Sequence, residues 1–331
     1  MGDRKISIII PAKGYNELLE ECVSRCLELD YPDFEILVLP DYSVEEVNSP
    51  NVKIVPTGPV SPAEKRDRAL SVAEGEILAF LDDDAWPERD WLSKAVQYFE
   101  NEDIAAVGGP AITPPDDTFM QKAGGFVYTS PLGGGNLRYR YTPQRLREIE
   151  DYPTCNLLVR KDAMEEVGGF DTKFWPGEDT KLCLAIINDL GKKILYAPDV
   201  VVYHHRRPLF GPHLKQVKSY GLHRGYFAKK FPKTSLRLSY FLPTLLVAGL
   251  ILGLIVSSLI PQLALVYIVG LLVYVGAVFS TTLRGTSLAM ASVVTAGVVL
   301  THITYGIWFV IGLLSRRLKE EDEDNDQLPA A

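Results

Sequence analysis

Three consecutive carboxylates, Asp82, Asp83 and Asp84, follow directly on the apolar run Ile77-Leu-Ala-Phe-Leu81. Adjacent anions repel one another unless a cation sits among them, and hard oxygen donors where a buried strand emerges suit Mg²⁺ or Mn²⁺. Such an ion bridges a diphosphate and neutralises charge developing on a leaving group. An acidic turn is the competing reading of the triplet; its position after an apolar strand favours metal. Asp41 closes another apolar run and is placed either to accept hydrogen bonds from a nucleobase or to serve as an ordinary turn residue. Lys65 and Arg66, in Pro62-Ala-Glu-Lys-Arg-Asp-Arg-Ala-Leu70, have the charge to meet phosphate oxygens, or are simply exposed helix charges. Glu178 and Asp179, in Gly177-Glu-Asp-Thr180, open a helical run. A carboxylate there is either a helix-terminal charge or a general base that takes the proton from an attacking hydroxyl.

The elements that must hold these groups follow from hydrophobic periodicity. Residues 6–10, 35–39, 52–55 and 77–81 are short β-branched or leucine-rich runs, each ending in Pro, Asp or Gly, and read as buried parallel strands. Residues 15–29 and 62–73 carry apolar positions at helical spacing between them. Strand and helix in alternation imply right-handed βαβ crossovers and an α/β, Rossmann-like domain. Ligands of such sheets bind beyond the carboxyl ends of the strands, which singles out Pro11, Asp41 and Asp82 to Asp84 as the donor side of a site. No GxGxxG or GxxxxGK[ST] follows any of these strands, against a dehydrogenase or a P-loop enzyme.

Composition changes abruptly near residue 236. From there to residue 314 the ionisable side chains other than tyrosine are Arg237, Arg284 and His302. Residues 241–260, 263–281 and 288–314 are each long enough to cross about 30 Å of hydrocarbon, so a multi-pass, three-helix transmembrane domain is expected over 236–315. An odd count puts Arg316, Arg317 and Lys319 on the side opposite the first domain, against the positive-inside rule. Residues 211–235 alternate Lys and Arg with Tyr and Phe, as an interfacial helix or a solvated basic linker would. Residues 316–331 read as a disordered acidic tail. The formal net charge of −8 argues against nucleic acid as a partner. Cys22, Cys26, Cys155 and Cys183 show no paired CxxC spacing and read as reduced core residues. The apolar run at residues 6–10 is too short for a secretory signal, so residues 1–210 are expected in the cytosol.

The ordered motifs SIIIPA, ILVLPD, EKRDRAL, FLDDDAWPERDWL, CNLLVRKDAMEEVGGFD, GEDTKL and YAPDVVVYHHRR resemble family 2 inverting glycosyltransferases of the GT-A fold, across residues 5–230. The resemblance implies a nucleotide-diphospho-sugar transferase domain using Mn²⁺ or Mg²⁺ with a UDP- or GDP-sugar. Asp41 is similar to the family's base-recognising aspartate, and Asp82 to Asp84 to its DxD-type motif, with Asp84 the foremost metal ligand. Asp179 is similar to the catalytic base of its ED motif. His204 or His205 matches a histidine that closes the donor site. Asn156 and Arg160 fall in the stretch beneath sugar and acceptor, and Trp175 is grouped with them.

Processive synthases of similar sequence carry QxxRW, whereas Gln216-Val-Lys-Ser-Tyr220 lacks both Arg and Trp, so one sugar per encounter is expected. DADLQ-like motifs of polyprenyl-phosphate sugar synthases are absent too, which favours a lipid-diphosphate-linked oligosaccharide over a bare lipid phosphate as acceptor; the plasma membrane is the expected location. Gly133 to Gly135 with Arg138 and Arg140 are expected to form a flexible loop gripping lipid phosphate, or a solvated surface loop. Thr301-His-Ile-Thr-Tyr-Gly306 resembles an HxxYG stretch of membrane-bound relatives, with lipid contact or helix packing as its role. The rival readings are a processive polysaccharide synthase and a non-enzymatic nucleotide-binding membrane protein.

Overall fold

The computed structural model describes residues 4–43 and 49–322. It divides into two compact units, Met1–Pro114 with Tyr139–His205, and Pro115–Arg138 with Arg206–Ala331. Residues 115–138, which lie inside the stretch 1–210 read as one domain, thus belong to the second unit. Of the acidic tail expected at 316–331, Lys319–Asp322 is a short helix and the rest lies outside the described residues.

The first unit contains eleven strands among the described residues: β1 (Ile6–Pro11), β2 (Phe34–Leu39), β3 (Val52–Ile54), β4 (Ile77–Leu81), β5 (Ala85–Pro87), β6 (Ile104–Gly108), β7 (Ala111–Ile112), β8 (Arg147–Ile149), β9 (Asn156–Arg160), β10 (Lys193–Tyr196) and β11 (Val202–His204). Eight form one sheet in the order β3-β2-β1-β4-β9-β6-β10-β8, and β5-β11-β7 form a second. Strands β1, β2 and β4 are buried along their whole lengths, as continuous apolar runs in a sheet covered on both faces must be. They pair in parallel, so their carboxyl ends share one edge of the sheet.

Within the large sheet, β9 and the edge strand β8 pair antiparallel to their neighbours. Strand β9 runs along β4 with Leu81 opposite Asn156 and Ile77 opposite Arg160. The start of β9 therefore lies at the carboxyl edge of the sheet and its end at the amino edge. The helices Glu17–Leu27 and Pro62–Leu70 fall where periodicity places them. The first is capped by the Asn16 side chain, which accepts from Leu18 and Leu19 N–H; the second is capped by Ser61 with Pro62 in its first turn.

The second unit is helical. Leu238–Leu259, Pro261–Leu283 and Leu288–Glu321 contain three stretches long and apolar enough to cross a membrane. Gly211–Lys230 forms one helix, as the basic and aromatic pattern predicts, and packs along Leu288–Leu314. The two backbones meet through glycine: a Cβ at Gly225 would stand 2.0 Å from the Phe309 carbonyl oxygen, and one at Gly312 would stand 1.9 Å from that of Leu222. Gly306 of the HxxYG stretch is also a packing residue, its carbonyl accepting from Thr244 Oγ1 at 3.0 Å. His302 bonds Tyr274 Oη and the Leu132 carbonyl. The stretch expected as a glycine-rich loop, Gly133 to Gly135 with Arg138 and Arg140, falls in two short helices, Pro131–Gly134 and Gly135–Arg140, which follow the helix Phe119–Thr129 opened by a Thr118/Gln121 capping box.

Candidate active site

The carboxyl edge of the large sheet gathers Pro11, Asp41 and the Asp82–Asp84 turn, because β1, β2 and β4 all end there. The turn is closed by a bond from Ala85 N–H to the Asp82 carbonyl, after which the chain enters β5. Pairing of β5 with β11 sets His204 opposite Ala85. That register is what brings a residue more than a hundred positions away against the acidic turn: His204 Nε2 lies 3.0 Å from Asp84 Oδ1. Asp84 is buried, whereas Asp82 and Asp83 are half-buried. The following residue, His205, is paired instead with Glu21 at 3.0 Å. His204 is thus the histidine at the acidic turn.

Burial opposes a charge on the His204 imidazole, but the Asp84 carboxylate beside it prevails and lifts the pKa to about 10. Asp82, Cys155 and His204 present ligating atoms that all lie within 4.8 Å of one another. Oxygen and nitrogen donors this close, in surroundings negative enough to hold a proton on histidine, fit a divalent cation.

The two basic residues expected to meet phosphates are already engaged. Lys65 is buried and its ammonium donates to the Ala12 and Leu39 carbonyls and to Asp41 Oδ1, at 2.7, 3.1 and 2.5 Å. An ammonium has three protons, and these three acceptors account for them. Lys65 fixes Asp41 rather than a phosphate. Arg66 is equally buried and reaches Asp82 Oδ1 at 3.1 Å with one amino group and Glu178 Oε1 at 3.0 Å with the other. One planar guanidinium therefore ties the acidic turn to the first residue of the helix Glu178–Asn188. Asp67, next along the same helix, accepts from the Phe170 and Asp171 N–H groups at 2.7 and 3.1 Å and anchors the loop before that helix.

With Glu178 committed to Arg66 and to the Gly177 N–H, Asp179 is the half-buried carboxylate of the pair, its Oδ1 accepting from Thr180 N–H at 2.7 Å. Trp175 stands just before, 56 % exposed. Asn156 lies at the edge where it was expected, but its side chain is fully buried with both donor hydrogens engaged. Its Oδ1 accepts from Trp91 Nε1 at 2.9 Å and its Nδ2 donates to the carbonyls of Val200 and Pro110 at 2.8 and 3.4 Å. It holds β9, β11 and the Trp91–Tyr98 helix together beneath the site.

Arg160 departs from expectation. It sits at the amino edge of the sheet, opposite Ile77, with its guanidinium on the carbonyls of Ile104, Asn101 and Phe99, a β-strand's length from the acidic turn. Arg138 and Arg140 belong to different units, and each donates to a backbone carbonyl of its own unit: Arg138 Nε to that of Thr129 at 2.6 Å, Arg140 to that of Asp151 at 2.7 Å, with the Asp151 carboxylate at 3.4 Å. The residue that sequence reasoning passed over is Cys155, whose lack of a CxxC partner said nothing about the imidazole it meets.

Residues 7–168 match the model of glycosyl transferase family 2. The chain carries a family 2 glycosyltransferase domain. A "Dolichyl N-acetyl-alpha-D-glucosaminyl phosphate 3-beta-D-2,3-diacetamido-2,3-dideoxy-beta-D-glucuronosyltransferase" of Methanococcus voltae is 24% identical over 243 residues, 68% of this chain and 74% of that one. "Glycosyltransferase AglE" of Haloferax volcanii is 27% identical over 229 residues, 64% of this chain and 70% of its own. Among solved structures, the mannosyltransferase PcManGT from Pyrobaculum calidifontis, in complex with GDP-Man and Mn²⁺, superposes with a TM-score of 0.55 at 21% identity, covering 96% of this chain and 89% of that one. The family 2 domain is thus of the GT-A fold and is followed by helices apolar enough to span a membrane.

Proposed function

We propose that this family 2 glycosyltransferase is a metal-dependent, inverting enzyme that transfers one sugar from a nucleotide-diphosphate sugar to a lipid-linked acceptor. The observation that carries the reading is the pairing of Asp84 with His204 at the carboxyl edge, where the GT-A fold meets a nucleoside diphosphate, joined through Arg66 to the helix that presents Asp179. Asp41, oriented by Lys65, faces the nucleobase. Asp82 and His204, with Asp84 bonded to the imidazole, would hold Mn²⁺ or Mg²⁺, which would supply charge neutralisation for the departing diphosphate.

The protein's own part is positional and basic. Asp179 accepts the proton of the acceptor hydroxyl as that oxygen attacks the anomeric carbon from the face opposite the leaving group, which inverts the configuration. Glu178, fixed by Arg66, holds the start of the helix so that Asp179 keeps its aim. The lipid-linked acceptor is supported by the dolichyl-phosphate chemistry in the name of the Methanococcus relative and by the three apolar helices. In this reading the first unit faces the cytosol at the plasma membrane, and the donor is a UDP- or GDP-sugar like the GDP-Man of the Pyrobaculum complex.

A panel of nucleotide sugars offered to membranes holding the chain and a lipid-linked acceptor, with Mn²⁺ or Mg²⁺, tests it. Transfer is expected to stop in chelator and to fall about 10²- to 10⁴-fold in Asp179→Asn, while nucleotide binding is kept. Undiminished transfer by Asp179→Asn rules out the assigned base, and a product of retained configuration rules out the single displacement.

A further inference from the structure

Cys155 stands at the candidate site without a role in the mechanism above. It directly precedes β9, in the turn that starts the strand at the carboxyl edge of the sheet. Its thiol is buried and is a hydrogen-bond partner of the His204 imidazole. Its Sγ, an Asp82 oxygen and a His204 nitrogen form the one group of three His, Cys or acidic side chains among the described residues whose ligating atoms converge within 4.8 Å. Cys183, by contrast, is buried in the Glu178–Asn188 helix with its thiol toward the Tyr152 carbonyl. Cys22 and Cys26 are buried on the core face of Glu17–Leu27.

We infer that Cys155 is a direct ligand of the divalent cation, completing with Asp82 and His204 a mixed oxygen, nitrogen and sulfur site. Asp84 then orients His204 from behind, as carboxylates behind metal-bound histidines do. The inference rests on the metal-dependent reading and adds a statement about selectivity. Mg²⁺ takes oxygen ligands and retains its waters, whereas a thiolate favours softer ions. The thiol gives up its proton to solvent when it coordinates. Affinity should therefore rise from Mg²⁺ through Mn²⁺ to Co²⁺, and the sulfur should account for much of the span.

Co²⁺ is the probe, added to the purified full chain in detergent with UDP or GDP present and followed by absorption. A sulfur-to-cobalt charge-transfer band in the near ultraviolet is expected in the wild type. It should be lost in Cys155→Ser, with Co²⁺ affinity weakened about tenfold or more and Mg²⁺ affinity changed far less. The Cys22→Ala/Cys26→Ala/Cys183→Ala variant, in which Cys155 is the sole thiol, should keep the band, and this holds even if Cys155→Ser fails to fold. Visible cobalt bands without the near-ultraviolet one would mean a site of oxygen and nitrogen alone, removing Cys155 from it and leaving the metal-dependent enzyme intact. No cobalt uptake by the wild type in the presence of nucleotide would overturn both readings.

Discussion

The two edges of the large sheet treat charge differently. At the amino edge, Lys53 meets Glu35 at 2.8 Å and Glu74 at 2.6 Å, Lys5 meets Glu74 at 2.5 Å, and Arg160 lies on carbonyls. Every carboxylate named there has a lysine. At the carboxyl edge Asp41, Asp82, Asp83, Asp84, Glu178 and Asp179 gather around Lys65, Arg66 and His204. Lys65 and Arg66 are each bonded to a carboxylate, and His204 faces Asp84. One edge is electrostatically closed, and the other gathers more carboxylates than cations.

Removing single cations probes that contrast most strongly. Arg66→Met strands Glu178 in the interior and should cost about 3–5 kcal/mol, read as a large fall in melting temperature. Lys53 is 44% exposed, so Lys53→Met should cost under about 1 kcal/mol. Equal losses would erase the difference between the edges.

Along one strand the same contrast can be sharpened. Asn156→Ala leaves the Trp91 indole N–H and the Val200 carbonyl without their partner and should cost about 1–3 kcal/mol, with turnover falling as β9 and β11 loosen. Arg160→Lys, four residues on, should leave kcat and KM unchanged, and a raised KM for acceptor in that variant would restore Arg160 to the site.

Acid titration gives the smallest effect. Burial pushes the Glu35 carboxyl upward, but the Lys53 ammonium, the Glu74 N–H and the Ser7 hydroxyl outweigh it and hold its pKa below the ordinary 4.5. A depressed carboxylate contributes stability above its unfolded pKa and loses it as pH falls through the folded one. The stability gap between wild type and Glu35→Gln should therefore be full near neutrality and close on acidification below pH 4.5. A gap that persists at pH 2 to 3 would mean that something other than the ionised carboxylate supports that edge.

The strands, the acidic turn and the Glu178–Asn188 helix were legible because each is a local pattern: an apolar run, then the residues that must follow it at the edge of a sheet. Partnership was not local. Lys65 and Arg66 announce two cations near a site, but only the fold reveals that Asp41 and Glu178 already hold them. Asn156 and Arg160 look like neighbours, yet a strand advances about 3.3 Å per residue, and four residues of β9 carry the chain from one edge to the other. Choosing between His204 and His205 needed the β5–β11 register. The stretch from Gly133 to Arg140 passed for a loop because three consecutive glycines carry no helical periodicity, yet it falls in the short helices Pro131–Gly134 and Gly135–Arg140.

The Lys65 cage around Asp41 also bears on affinity. A carboxylate on a mobile side chain must be stilled when a ligand arrives, which costs about 0.5–1.5 kcal/mol per immobilised side chain. Here the lysine, tethered to two backbone carbonyls, stills it during folding. In the proposed reading a nucleobase would then meet a receptor whose rotameric freedom is already gone, and more of each hydrogen bond it made would survive as binding.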